Sequence, residues 1–246
     1  MSADARCLPT PTPEPEPASL GALDLFALGR QASAARDGGL GRRGTFVRGR
    51  QLLASGGWRG PRDAAESTVD DADVVAVGGL PALRAAGIDL LVAAADSPHA
   101  RSAAEAGLRL LLRVPYRVGE GDRERLDRLA AIERAAFGVW GVMPAPLGEP
   151  YGLDTLRFFA LCRLALPRVA HLLADVGALG PRLAQMAFGF GADELHAPIV
   201  AERALRLGAN AHNPSLTRKE AATLIRGAGL APCERFADGA IEEVQA

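Results

Sequence analysis

The sequence contains few of the residues that bind transition metals or form disulfides. Its 246 residues include only three cysteines and four histidines. Cys7, Cys162 and Cys233 are far apart, and no pair has the spacing of a zinc site or a redox motif. The cysteine count is odd and no apolar signal-peptide segment is recognisable, so we expect a cytoplasmic protein that binds no metal.

Long apolar runs and an excess of charge are also missing. No apolar run reaches the roughly 18 residues that a membrane-spanning helix needs. The 28 basic and 29 acidic residues give a net charge of −1, which offers no general attraction for nucleic acid or an anionic membrane. We therefore predict neither as a partner. Hydrophobic residues make up 48% of the chain, which suffices for one sizeable core.

The middle of the chain alternates between short apolar runs and helical patterns. Helices separate the predicted strands, which is typical of βα units and a parallel sheet. About six such units favour an incomplete or abbreviated TIM-type (α/β) barrel, with a doubly wound sheet as the alternative. The predicted strands are residues 44–47, 73–77, 89–94, 108–114, 138–143 and 170–176.

The two ends of the sequence differ from this α/β region in composition. Residues 1–18 are rich in proline and glutamate and are predicted to be disordered. We assign residues 19–198 to the barrel and 199–236 to a helical extension packed on it. In that extension, Thr217 and Glu220 have the spacing of a capping box. Residues 237–246 are predicted to be loose.

One glycine motif resembles a dinucleotide-binding loop, but its position in the chain excludes that role. Residues 39–44 fit G-x-G-x-x-G, but a predicted helix precedes them and a predicted strand follows. A dinucleotide-binding loop needs the opposite order, because the helix N-terminus must face the pyrophosphate. We therefore assign no cofactor to this segment.

Several segments match one known family in the same order along the chain. The segments are FVRGR (46–50), VGGLP (77–81), VPYRVGEGDRERLDRL (114–129), LGPRLAQ (179–185) and FGAD (190–193). On these segments the chain resembles the menaquinone-pathway radical S-adenosylmethionine (SAM) enzymes, above all aminofutalosine synthase. Dehypoxanthine futalosine cyclase and the FO synthase subunits are similar as well. The resemblance implies a radical-SAM-type barrel and a link to menaquinone biosynthesis.

The resemblance also exposes a departure from the family pattern. In the family, the loop after the first strand carries C-x3-C-x2-C, whose thiolates hold a 4Fe–4S cluster that cleaves SAM. The matching positions here are Trp58, Arg62 and Ala65, and none of these side chains can ligate iron. We therefore expect no iron–sulfur cluster, no SAM binding and no radical chemistry.

The chain is also shorter than members of the family. The missing part is predicted to lie between Gly79 and Asp89. An abbreviated barrel exposes sheet edges, which a partner can cover. A heteromer with a full-length radical SAM relative is therefore the predicted assembly.

Arginines are concentrated in residues 36–62, which contain seven of them and a single acidic residue. Such a segment is a solvated basic loop, an anion-binding pocket or a nucleic-acid contact, and the lack of interleaved aromatic residues disfavours the last. Guanidinium groups suit carboxylates and phosphates. Arg48, Arg50 and Arg62 are the candidate ligands for an anionic small molecule.

Other candidate ligand-binding residues follow from the resemblance alone. Gly78 and Gly79 match the glycine pair that contacts the SAM amino group in the family, with a simple tight turn as the alternative. The positions near the family's substrate are matched by Gln185, Asp193 and Glu202. His196, beside acidic residues, is a base or a structural histidine.

The predicted function is a cluster-less, non-catalytic accessory or ligand-binding protein linked to menaquinone biosynthesis. One alternative is a non-radical enzyme that acts on an anionic small molecule at an arginine-lined barrel mouth. The other is a purely structural partner subunit. No catalytic residue is assigned.

Overall fold

The computed structural model describes residues 17–135, 138–200 and 215–245. Short 3₁₀ turns occupy Asp71–Asp73 and Phe188–Phe190. The helices are α1 (Pro17–Leu20), α2 (Leu25–Leu40), α3 (Gly79–Ala85), α4 (Pro98–Glu105), α5 (Asp122–Ala135), α6 (Gly152–Ala165), α7 (Val176–Leu179), α8 (Pro181–Ala187) and α9 (Arg218–Gly227). The strands are β1 (Arg43–Phe46), β2 (Gly49–Leu52), β3 (Trp58–Arg59), β4 (Glu66–Asp70), β5 (Leu90–Ala94), β6 (Arg109–Tyr116), β7 (Val139–Pro146), β8 (His171–Asp175), β9 (Glu194–His196), β10 (Ile199–Val200), β11 (Leu216–Thr217), β12 (Ala231–Arg235) and β13 (Ile241–Glu243).

Most of the strands form one curled, largely parallel sheet with the order β13-β12-β1-β9-β8-β7-β6-β5-β4-β2-β3. The segment 43–52, which contains β1 and β2, joins its two flanks. β1 pairs in parallel with β9 and β12, whereas β2 pairs in parallel with β4. Only Val47 and Arg48 separate β1 from β2. The sheet is therefore an incomplete α/β barrel whose flanks meet on this segment, which confirms the predicted fold class.

Two apolar layers lie on the two faces of the sheet. Leu110 and Leu112 of β6 are fully buried in the large core shared with the surrounding helices. Leu111, between them, points to the other face, as alternation along a strand requires. It packs inside the barrel with Leu90, Val92, Met143 and Leu173. The middle of the barrel is thus filled by side chains, which leaves polar residues at its two ends.

One predicted strand was wrong. Residues 73–77 form a turn, and the strand in this region is β4, Glu66–Asp70. The apolar run at 74–77 suggested a strand, whereas β4 has a polar sequence because its inward residues, Glu66 and Thr68, face other polar groups. Strands β9 and β12 were not predicted, since both are short and rich in charged residues.

The C-terminal region differs in part from its prediction. Thr217 and Glu220 form the expected capping box at the start of α9. Ile241–Glu243, predicted to be loose, is instead strand β13, antiparallel to β12, and Val244 beside it is buried. β12 is hydrogen-bonded to β1, so this part of the chain belongs to the main sheet. The predicted tail up to residue 16 and the start of the extension, 201–214, lie outside the described residues.

Within the described part of the chain, each helix is too short or too polar to cross a membrane.

Candidate ligand site at the barrel mouth

The N-terminal end of the barrel is closed by four charged side chains, which we call the floor network: Glu66, Arg109, Glu194 and Arg235. Glu66, Arg109 and Glu194 are the first residues of β4, β6 and β9, which places them at this end. Arg235 donates to Glu194 at 2.6 and 2.8 Å and to Glu66 at 2.9 and 3.2 Å. Arg109 donates to Glu66 at 2.5 Å. The ring of Trp140 lies 4.5 Å from the Arg235 guanidinium carbon.

Charge compensation makes this buried network stable. Burial alone would raise the pKa of Glu194, but the charge and hydrogen bonds of Arg235 outweigh it and lower that pKa below its ordinary 4.5. The pKa of Arg235 is raised by Glu194 and Glu66 despite the opposing effect of burial. Two guanidinium groups thus balance two carboxylates. In α/β barrels this end serves stability, whereas ligands bind at the opposite end.

Asp193 lies at the same end and has its oxygens engaged within the protein. Its carboxylate accepts the Leu172 backbone N–H at 2.5 Å and the Arg163 guanidinium at 3.0 Å. The His171 ring nitrogen Nδ1 is 2.9 Å from its other oxygen. The side chain is fully buried. The structure therefore places this predicted ligand residue away from the barrel mouth.

A small cavity of about 100 Å³ lies above the floor network. We call it the mouth cavity and define it by Gln51, Arg59, Glu66, Thr68 and His196, which line it. The strand register places these residues on one face. Gln51 pairs with Thr68 of β4 and with Arg59 of β3. Glu66 and Thr68 are two apart on β4, and His196 is two residues beyond Glu194, so all face the barrel interior.

Three of these side chains have no partner among the described residues. Gln51, Arg59 and His196 make no side-chain hydrogen bond or ion pair with any residue in the ranges that the structure describes. Glu66 belongs to the floor network, and Thr68 donates to the Arg50 carbonyl at 3.3 Å. The cavity therefore offers unused hydrogen-bonding groups. Sequence reasoning missed Gln51 and Arg59 as a pair, because the β2–β3 hairpin that brings them together was not predicted.

The structure does not bring Arg48, Arg50 and Arg62 together. Arg48 forms ion pairs with Asp63, at 2.6 Å, and with Glu234, and it lines a separate groove of about 440 Å³. Arg50 borders the mouth cavity, but its guanidinium donates to Ser67 on the opposite face of the sheet. Arg62 is exposed in the loop between β3 and β4.

The remaining predicted ligand residues lie elsewhere. Gly78 and Gly79 have φ values of +97° and +81° and begin α3 from a turn rather than from the end of a strand. A left-handed conformation at consecutive positions favours glycine for steric reasons alone. Gln185 donates to the Leu224 carbonyl at 3.0 Å and ties α8 to α9. Glu202 lies outside the described residues.

The residues present do not fit a 4Fe–4S cluster. Trp58 is in β3, under the Arg50 guanidinium at 4.0 Å. Ala65 has no side-chain ligand and donates its backbone N–H to the Arg48 carbonyl at 2.7 Å. Cys162 and Cys233 are buried in α6 and β12, and burial raises the pKa of both thiols. Within the described ranges no group of three or more His, Cys, Asp or Glu could hold a metal ion.

A second polar group lies at the mouth, after β4 and β5. The Asp71 carboxylate is 2.8 Å from Nδ1 of His99 and accepts a hydrogen bond from Ser97 at 2.7 Å. Beside it, Asp70 pairs with Arg113 of β6 at 2.6 Å. This group was not predicted from the sequence. The strand was predicted at residues 73–77, whereas β4 ends at Asp70 and Asp71 directly follows it.

Comparison with known proteins gives partial matches. No family model matches the sequence. The chain is 34% identical to aminodeoxyfutalosine synthase of Thermus thermophilus over 86 residues, which are 35% of this chain and 23% of that protein. It is 28% identical over 150 residues to 5-amino-6-(D-ribitylamino)uracil--L-tyrosine 4-hydroxyphenyl transferase 1 of Methanosarcina barkeri, 53% of this chain and 40% of that protein. The chain thus covers less than half the length of these curated relatives.

Solved structures share the fold over most of the chain. Methylornithine synthase (PylB) matches with a TM-score of 0.60 at 12% identity, covering 88% of this chain and 92% of that one. The FeFe-hydrogenase maturase HydG from Carboxydothermus hydrogenoformans also has a TM-score of 0.60 at 12% identity, covering 89% and 75%. The sequence matches and the shared barrel agree with the predicted resemblance. The chain is therefore similar in part of its sequence to aminodeoxyfutalosine synthase, and it shares the fold of PylB and HydG.

Proposed function

We propose that this protein binds a small anionic ligand at its barrel mouth without radical chemistry, as an accessory protein linked to menaquinone biosynthesis. The relation to aminodeoxyfutalosine synthase supports the link to that pathway. A futalosine-type compound or a chorismate-derived carboxylate is the proposed ligand class. A full-length, cysteine-bearing relative is the proposed partner.

One observation carries the proposal. The segment after β2, where the resemblance places three cluster ligands, contains Trp58, Arg62 and Ala65 instead. A cluster of this type needs three thiolates, and the chain has only three cysteines in all. Two of them, Cys162 and Cys233, are buried in different elements. This chain thus lacks the ligand set for reductive cleavage of SAM.

Anaerobic reconstitution tests the proposal. The full chain is incubated with iron and sulfide under reducing conditions, desalted, and then mixed with SAM and dithionite. We expect no stable iron–sulfur absorption band and no 5′-deoxyadenosine. Either signal would overturn the proposal. Co-expression with a cysteine-bearing relative then tests the accessory role, with co-purification as the expected result.

A second candidate function is a non-radical enzyme, favoured by the pair Asp71 and His99. A carboxylate that holds one imidazole nitrogen orients the ring, so that the other nitrogen can exchange a proton with a substrate. Both residues follow parallel strands at the mouth, where barrel enzymes carry their catalytic groups. Turnover of a futalosine-type compound without SAM, abolished by His99→Gln, would favour the enzyme over the binding protein.

A further inference from the structure

We infer that the mouth cavity binds a single carboxylate or phosphoryl group through Arg59, Gln51 and His196. This inference rests on the proposed function, because the group belongs to the ligand proposed there. It replaces Arg48 and Arg62, which sequence reasoning selected, by residues that the strand register brings together.

The donors of the cavity converge on one space. Gln51 and Arg59 are directly paired across β2 and β3, so their side chains leave the same face of this hairpin. His196, at the end of β9, lines the same cavity from the other flank of the sheet. An amide, a guanidinium and an imidazole provide N–H donors, which is the complement that an anionic oxygen group requires.

The charge around the cavity favours an anion. Glu66 lines its lower part, but this carboxylate is bound by both Arg235 and Arg109. The floor network as a whole is neutral and does not repel an anion above it. Among the described residues no carboxylate pairs with Arg59, so its positive charge is uncompensated by an ion pair.

The size of the cavity suits a small anionic group. Its volume of about 100 Å³ has room for a carboxylate or phosphoryl group beside Gln51, Arg59 and His196. The cavity is open to solvent, so the remainder of a larger ligand can extend over the exposed strand β3.

Calorimetric titration of the full chain tests the inference. The probes are inorganic phosphate and benzoate, each in buffer free of other multivalent anions. The variant is Arg59→Ala, and its matched control is Arg62→Ala, which removes another exposed arginine, three residues further along the chain and outside the cavity. We expect at least one probe to bind, Arg59→Ala to weaken it about tenfold or more, and Arg62→Ala to change it less than about twofold.

The outcomes separate the two ligand chemistries and expose a wrong inference. Binding of phosphate alone points to a phosphoryl ligand, and binding of benzoate alone points to a carboxylate ligand. No binding of either probe at millimolar concentration, or equal weakening by the two variants, would overturn the inference. Failure here removes this binding site but leaves the reconstitution test for radical chemistry untouched, so the two failures are distinguishable.

A conservative variant distinguishes a loss of binding from a folding defect in Arg59→Ala. Arg59→Lys keeps the charge but removes the planar fork of donors. We expect native circular dichroism and clearly weakened binding of the probe. Fluorescence of Trp58, the residue next to Arg59, provides a second readout of binding. Unchanged affinity in Arg59→Lys together with unchanged affinity in Gln51→Leu would also overturn the inference.

Discussion

The two ends of the barrel carry similar residues in opposite circumstances. The floor network and the mouth cavity are both lined by charged and polar side chains on the inner face of the same sheet. At the floor, Arg235 and Arg109 satisfy Glu66 and Glu194 with short ion pairs. At the mouth, Gln51, Arg59 and His196 find no partner in the described residues. Buried groups with partners hold the fold together, whereas the half-buried Gln51 and His196 and the exposed Arg59 are available to a ligand.

The difference comes from how the chain closes the barrel. β12 lies beside β1 and ends where β4 begins, as the hydrogen bond from Ala237 N–H to the Ala65 carbonyl shows. This arrangement inserts Arg235 between two strands, β4 and β9, that start with glutamates. In the described part of the chain no comparable strand enters from the mouth, where the short hairpin β2–β3 forms the rim.

Removing the central charge of the floor network should have the largest effect. Arg235→Ala leaves Glu66 and Glu194 short of their main partner in a buried site, which costs about 3–5 kcal/mol of unfolding free energy. Urea unfolding followed by circular dichroism measures it. The control, Arg43→Ala, removes an exposed arginine of β1 and should change stability by less than about 0.5 kcal/mol. Equal stability of the two variants would show that the network does not hold the barrel closed.

A substitution of Asp193 tests whether this predicted ligand residue contributes to stability or to anion binding. Asp193→Asn removes the charge that pairs with Arg163 and weakens the acceptor for the Leu172 N–H, so we expect a loss of about 1–3 kcal/mol. Affinity for phosphate or benzoate, measured by the titration described above, should stay the same. A variant of native stability that no longer binds the anion would return Asp193 to the ligand site.

Much of the fold was predictable, because most helices and buried strands have apolar periodicity that survives in the structure. Strands β5 to β8 begin and end within a few residues of their predictions. Strand β4 was missed because Glu66 is compatible with a barrel interior only through Arg109 and Arg235, which are far away in sequence. Arg48 was predicted to bind a ligand because its actual partner, Glu234, is also far away in sequence and could not be recognised from the local pattern. Local patterns identify apolar packing but not the partners of buried charges.

The floor network should also make stability depend on acid. The pKa of Glu194 is below its ordinary 4.5 in the folded protein, so its stabilising effect is present above that pH. The effect is lost as the pH falls below 4.5 towards the folded-state pKa, because the unfolded chain then binds the proton more readily. The slope for this single proton is at most about 1.4 kcal/mol per pH unit. Urea unfolding is measured from about pH 6 to about pH 3, the range in which carboxylates titrate. The free energy of unfolding should fall less steeply for Glu194→Gln than for the wild type.

The smallest effect on stability is expected for a substitution at the mouth, where no loss of stability is predicted. Gln51→Leu removes an amide that has no protein partner in the described ranges, so stability should stay the same or rise by about 0.5–1 kcal/mol. The matched control is Gln185→Leu, which removes an amide that donates to the Leu224 carbonyl at 3.0 Å and should lose about 1 kcal/mol. Only Gln51→Leu should weaken binding of the anion. A stability loss in Gln51→Leu as large as that in Gln185→Leu would mean that the mouth is built for structure, as the floor is. The different stability changes predicted for two identical side chains therefore test, without reference to any particular ligand, whether the polar groups at the mouth serve stability.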